Sequence, residues 1–137
     1  MKLTLDTNVL ISATFWFGVS DKIIKKIESE EAELILSEDI IKEFSEVLEY
    51  EEIQEKIKNK NLEMKYTINK IISISKIVIP KEKFNIVRED PDDNKILECA
   101  YERKVDYIIT YNKHLLKLKE FKKIKIITPE QFLKLFK

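Results

Sequence analysis

A chain of 137 residues with 25 basic and 25 acidic side chains and 44% hydrophobic residues has the size of one domain, spanning 1–137, and enough apolar side chain for one core. Zero net charge removes the overall basic field of a nucleic-acid binder, so phosphate contact must rest on local patches or bound cations. The lone Cys99 excludes an internal disulfide and a thiolate-rich zinc site, no apolar run approaches the roughly 18–20 residues of a membrane span, and MKLTLDTNVL turns polar too early for a signal peptide, so a cytoplasmic location is expected.

In chain order, Leu3–Leu5 predicts a short buried strand that breaks at Asp6-Thr7-Asn8 into a helix start, leaving Asp6 at the strand's carboxyl end. Ser20 is suited to cap a helix with Ile23, Ile24 and Ile27 on one face, and Glu33–Leu36 predicts a second strand. A crossover of this kind is right-handed and makes the two strands parallel. Ser37 is expected to cap a helix reaching about Tyr50, with Ile40, Ile41, Phe44, Val47 and Leu48 at helical spacing. Glu51–Lys76 keeps helical spacing with an interruption near Asn59–Asn61, predicting a helical hairpin. The run Ile77-Val78-Ile79 stops at Pro80, and Pro80–Glu89 predicts a loop with a short extended piece at Asn85–Val87.

Asp90 suits a cap and Pro91 the first position of a helix running to about Arg103. Tyr107–Thr110 predicts a strand, followed by a short helix around Leu115–Lys119, a last strand at Lys125–Ile127 and a terminal helix from Pro129 to Phe136. This alternation predicts an α/β fold, a three-layer αβα arrangement around a parallel sheet of about five strands.

Ligands in such sheets bind at the carboxyl ends of the strands, where the strand order reverses. Asp6 stands at one such exit. Glu43 borders the buried stripe of the Ser37–Tyr50 helix, and Asp93 precedes Ile96, Leu97 and Ala100 by three, four and seven residues, in line with the apolar face. Taken singly, Asp6 reads as a helix cap, Glu43 as the edge of an amphipathic helix and Asp93 as part of a capping box. Together, three acids at inward or strand-end positions suit a hard divalent ion, Mg²⁺ or Mn²⁺, held by carboxylates and waters. Thr7, Asn8, Thr110, Lys113 and His114 stand beside these exits as candidate substrate contacts.

The ordered set Asp6-Thr7-Asn8-Val9-Leu10, Leu36-Ser37 with Glu43, Asp90-Pro91-Asp92-Asp93-Asn94, Asp106–Thr110, Leu115-Leu116 and Ile127–Leu133 resembles the PIN-domain family over nearly the whole chain, most closely the toxin subunits of toxin–antitoxin modules. The resemblance implies a PIN-like parallel sheet, Mg²⁺- or Mn²⁺-dependent endoribonuclease activity on RNA, frequent homodimerisation and inhibition by a cognate antitoxin. It places the family's acids on Asp6, Glu43 and Asp93. Many members carry aspartate where this chain has Asn112 and His114; an asparagine offers a metal a carbonyl oxygen but no charge, so Asn112 is a weaker candidate ligand.

The alternative within the family is a non-catalytic module that binds RNA or protein. A phosphorelay receiver needs a lysine ending its last strand, where Ile127 is followed by Thr128-Pro129, and an aspartate-nucleophile phosphatase needs a second aspartate where Asn8 stands. Two surface features remain. Lys113, Lys117, Lys119, Lys122, Lys123 and Lys125 crowd the segment after the Tyr107–Thr110 strand, near the expected site mouth, and Phe15-Trp16-Phe17 precede the single glycine, Gly18, as a candidate stacking or partner surface.

Overall fold

The computed structural model describes residues 1–15, 18–59 and 64–136; Trp16, Phe17 and the helical interruption beyond Asn59 lie outside them. Its strands are β1 (Lys2–Leu5), β2 (Glu33–Ser37), β3 (Ser75–Val78), β4 (Tyr107–Ile109), β5 (Glu120–Phe121) and β6 (Ile124–Ile127). Its helices are α1 (Thr7–Phe15), α2 (Val19–Glu28), α3 (Glu38–Leu48), α4 (Glu51–Asn59), α5 (Met64–Ser73), α6 (Asn94–Glu102), α7 (Lys113–Leu116) and α8 (Pro129–Leu133).

The strands form one sheet in the order β3-β2-β1-β4-β6-β5, parallel except for β5 against β6. The chain moves outward from β1 through β2 to β3, then returns to place β4 on the other side of β1. The gap above β1 and β4 is therefore the switch point. Strand alternation sends Thr4 to one face, where its Oγ1 lies 3.8 Å from Cys99 Sγ of α6, and sends the fully buried Leu3 and Leu5 to the other. Helices α1, α2, α3 and α8 pack on one another and cover that second face. The result is the expected αβα sandwich.

Six strands replace the expected five because Glu120–Phe121 turns back on β6 through Lys122 and Lys123, at φ 47° and 72°. A two-residue hairpin with positive φ at both positions ordinarily takes Asn-Gly, so the Lys-Lys pair carried no turn signal. Left-handed backbone costs an L-residue roughly 1–2 kcal/mol.

Several boundaries move for local reasons. Ser20 does not cap α2; it lies inside the helix, buried, and Gly18 at φ 151° is the cap. Ser37 does cap α3, its Oγ accepting from Ile40 N at 3.2 Å, but α3 ends at Leu48. The helix opened by Asp90 begins as a 3-10 turn, Pro91–Asp93, before α6. Helix α7 starts at Lys113, earlier than expected, because Asn112 caps it.

The Asn85–Val87 piece forms no strand. The amides of Ile86 and Val87 both donate to Asn94 Oδ1 at 2.9 Å, Phe84 N donates to Glu98 Oε2 at 2.9 Å, and Lys81 N donates to Glu102 Oε1 at 2.8 Å. Asn94, Glu98 and Glu102 are four residues apart and share one stripe of α6. They stitch the segment 81–87 along the helix as a strap, satisfying backbone amides that a buried extended segment would otherwise leave unpaired.

Candidate active site

Asp6 follows the last residue of β1 and still belongs to the sheet, its N–H donating to Ile109 O at 3.3 Å. Its Oδ1 accepts from Val9 N at 3.0 Å, so the carboxylate also caps α1. Its Oδ2 accepts a short hydrogen bond from the Thr110 hydroxyl, across the β1–β4 boundary. The cap reading and the site reading are thus both realised, one by each oxygen. Burial pushes the carboxyl up to about 6, against the two hydrogen bonds, with Asp93 and Glu43 adding repulsion.

Glu43 projects from α3 and accepts from Thr7 Oγ1 at 3.1 Å. Its carboxyl is raised by burial and by the charges of Asp92 and Asp93. Asp93 ends the 3-10 turn and makes no side-chain cap bond, which leaves its carboxylate free to face Asn112 and His114. Its carboxyl is raised by burial and by Asp90, while His114 and Asn112 oppose the shift. Asp90 takes the capping role instead, accepting from Asp92 N at 3.2 Å.

A cleft of about 40 Å³ opens here, lined by Asp6, Thr7, Asn8, Glu43, Asp92, Asp93, Ile96 and Asn112. Four carboxylates and no basic side chain line it. Such a donor set is all oxygen and carries net negative charge, offset only in part by Lys95, 3.3 Å from Asp92, which suits a hard divalent cation. As they stand, no three His, Cys, Asp or Glu side chains among the described residues are gathered tightly enough to hold an ion. Three of the carboxylates are instead held by a hydrogen-bond donor, Asp6 by Thr110, Glu43 by Thr7 and Asp93 by Asn112, and Asp92 pairs with Lys95. The chemistry of the set fits a divalent ion, and ligation requires those side chains to turn inward.

Three expectations change with this geometry. Asn112 was a candidate to offer a metal its carbonyl oxygen. That oxygen accepts from His114 N at 2.8 Å, which fixes the amide's orientation and turns Nδ2 to Asp93, 3.0 Å from both carboxylate oxygens. Thr110 was a candidate substrate contact; it is fully buried, donating to Asp6 and accepting from Asn112 N at 2.9 Å. Thr7 is likewise buried, with its hydroxyl on Glu43. All three side chains hydrogen-bond a carboxylate of the cleft.

Asn8 is exposed on the cleft wall. His114 is half-buried with Nδ1 3.5 Å from Asp93 Oδ2, and Lys113 is exposed on the first turn of α7. Of the lysine-rich segment, Lys122, Lys123 and Lys125 lie elsewhere: the β5–β6 turn carries them to the amino end of the sheet, away from the cleft. Sequence reasoning missed the Thr7–Glu43 and Thr110–Asp6 pairs. A hydroxyl directly following each strand-end position was the available signal.

Fold and site together define a parallel αβα domain with an acidic cleft at its switch point. Within that class the chain belongs to the PIN-domain family, whose model, described as PIN domain, matches residues 2–114. In fold it is similar to a chain of the crystal structure of VapBC2 from Rickettsia felis bound to a DNA fragment from their promoter. That likeness has a TM-score of 0.64 at 12% identity and covers 92% of this chain and 97% of the other. A comparison with curated proteins gave no match. No helix among the described residues is long and apolar enough to cross a membrane.

Proposed function

We propose that this chain is a metal-dependent endoribonuclease that hydrolyses RNA phosphodiester bonds, acting as the toxin of a toxin–antitoxin module. The observation that carries the reading is the convergence of Asp6, Glu43 and Asp93, from three separate segments, on one cleft at the switch point of a PIN-domain sheet.

Asp6, Glu43 and Asp93 would hold Mg²⁺ or Mn²⁺. Such an ion supplies an activated water and offsets charge on the phosphodiester. Thr110 and the Val9 amide hold Asp6, Thr7 holds Glu43, and Asn112 holds Asp93 around the cleft, from which the three carboxylates would turn inward to reach an ion. Asp6, at the end of β1 with its carboxyl raised by burial, would also orient or deprotonate the attacking water. Asn8 on the cleft wall, with His114 and Lys113 beside it, supplies polar and cationic contacts for an RNA strand.

The fold shared with VapBC2, solved with promoter DNA, supports an antitoxin partner. Homodimerisation follows from the family resemblance, and a cytoplasmic location accords with an RNA substrate.

The test is cleavage of RNA by the purified protein with Mg²⁺ or Mn²⁺, with EDTA, and with Asp6→Asn or Asp93→Asn. EDTA should abolish cleavage and each substitution should reduce it by on the order of 100-fold or more. Cleavage that survives all three rejects the reading. A second reading, a non-catalytic PIN module that binds RNA or protein, is favoured by the neutral Asn112 and by carboxylates already engaged with protein donors. RNA that binds uncut, with Mn²⁺ failing to bind at millimolar concentration, would select it.

A further inference from the structure

At the opposite end of the sheet from the acidic cleft lies a larger pocket of about 780 Å³, walled by Lys104, Lys122, Lys123 and Lys125 with Tyr101 and Tyr107. One acid lines it, Asp106, and its Oδ2 is taken by the Lys2 amide at 2.8 Å. None of the four lysines forms an ion pair with a described residue, whereas Lys25, Lys26, Lys70, Lys76, Lys83, Lys95 and Lys117 all do. Four lysines without an acidic partner among the described residues thus converge on one concavity.

The backbone sharpens this. Lys104, Lys122 and Lys123 all have left-handed φ, at 47°, 47° and 72°, where glycine or asparagine would sit without strain. Strained positions of this kind cluster at ligand clamps. Lys122 Nζ is further held over three rings, 5.5 Å from Tyr101, 5.7 Å from Phe121 and 5.8 Å from Phe84, which props the turn against them, and Lys123 and Lys104 line the same pocket.

We propose that this pocket is a second binding site, for a nucleoside phosphate, with the phosphate on Lys104, Lys123 and Lys125 and the base or ribose against Tyr101 and Tyr107. The volume falls in the range of small-ligand sites, roughly 300–1,000 Å³. Cations beside aromatic faces are the chemistry that holds a nucleotide unit without reading its sequence. The nucleotide is either one unit of a single-stranded RNA or a free nucleotide, and the site does not depend on cleavage at the acidic cleft.

The experiment compares the native protein with Lys104→Gly/Lys123→Gly in EDTA, which removes any cation-dependent binding at the cleft. The probes are a fluorescein-labelled ten-nucleotide single-stranded RNA, read by anisotropy, and AMP, read by calorimetry. The variant should bind at least tenfold more weakly while melting no lower than native, because glycine relieves the left-handed backbone at both positions. A loss for RNA alone assigns the pocket to a polynucleotide; a loss that includes AMP assigns it to a nucleotide-sized ligand. Equal affinity of variant and native for both probes, or no binding of either probe by native protein, overturns the proposal. So does an equal loss in Lys25→Ala/Lys58→Ala, which removes two exposed lysines far along the chain and should leave binding unchanged.

Discussion

Asn112 Nδ2 stands 3.0 Å from both carboxylate oxygens of Asp93, so a neutral amide occupies a place where an acid would add to the four carboxylates of the cleft. The amide neutralises nothing, but it satisfies Asp93 at no charge cost. An aspartate there would meet Asp93 at hydrogen-bond distance with no proton between them. For Asn112→Asp we expect divalent-cation affinity to rise about tenfold or more and the metal-free protein to lose about 1–3 kcal/mol. Mn²⁺ titration and melts in EDTA measure the two effects, and unchanged affinity would show that position 112 does not face the ion.

Asp6 makes the metal-free protein sensitive to pH. Its folded pKa of about 6 lies above its ordinary value of 3.8, so the folded chain keeps a proton that the unfolded chain releases. The stabilisation is full below the unfolded value and is lost as pH rises through the folded one. A shift of about two units corresponds to about 3 kcal/mol. Glu43 and Asp93 shift in the same direction, whereas the lowered carboxyls of Glu31, Glu33 and Glu89 act only at more acid pH. Without divalent ions the protein should therefore melt higher at pH 5 than at pH 7.5, and Asp6→Asn should flatten that difference. A melting point that falls between pH 7.5 and pH 5 contradicts the burial of Asp6 as a charged group.

The acids were legible because each sits on a local pattern. Asp6 ends an apolar strand, Glu43 flanks the stripe of Phe44 and Val47, and Asp93 precedes Ile96 and Leu97. Their partners were not legible. Thr110 reaches Asp6 only because Leu5 pairs with Ile109, a register set by residues about a hundred positions apart. The strap was hidden for a similar reason: Asn94 and Glu98 read as ordinary polar positions until the segment 81–87 lies on them. The lysine cluster was misplaced because a Lys-Lys hairpin has no turn signature, and missing β5 kept Lys122 and Lys123 on the wrong end of the sheet.

Asn94 is the main fastening of that strap. It is 4% exposed, accepts from the Ile86 and Val87 amides, and donates to Val87 O and Pro91 O at 2.8 and 3.1 Å. Asn94→Ala strands these backbone groups beside α6, at a cost of about 3 kcal/mol. Urea unfolding should show that loss, and trypsin should cut faster at Lys83 and Arg88 well below the unfolding midpoint. Unchanged proteolysis would mean that the strap is held by Phe84, whose ring meets Tyr101 and Phe121 edge-on, and that Asn94 only ends the 3-10 turn.

Thr110 is the residue on which the acidic cleft turns, since one hydroxyl serves two site residues: it donates to Asp6 Oδ2 and accepts from the Asn112 amide. Thr110→Val keeps the shape and removes both bonds. The bond to Asp6 lowers that carboxyl's pKa, so its loss should carry Asp6 above about 6 in the metal-free protein, read by carbon NMR of the labelled carboxyl. The variant should lose about 1–3 kcal/mol of stability, and Mn²⁺ should bind about tenfold or more weakly, the usual effect of losing a group that orients a ligand. Thr110→Ser, which restores the hydroxyl but not the methyl, should recover the pKa and the affinity. If Val and Ser behave alike, Asp6 is fixed by the Val9 amide alone, and the hydroxyl across the switch point has no part in aiming it.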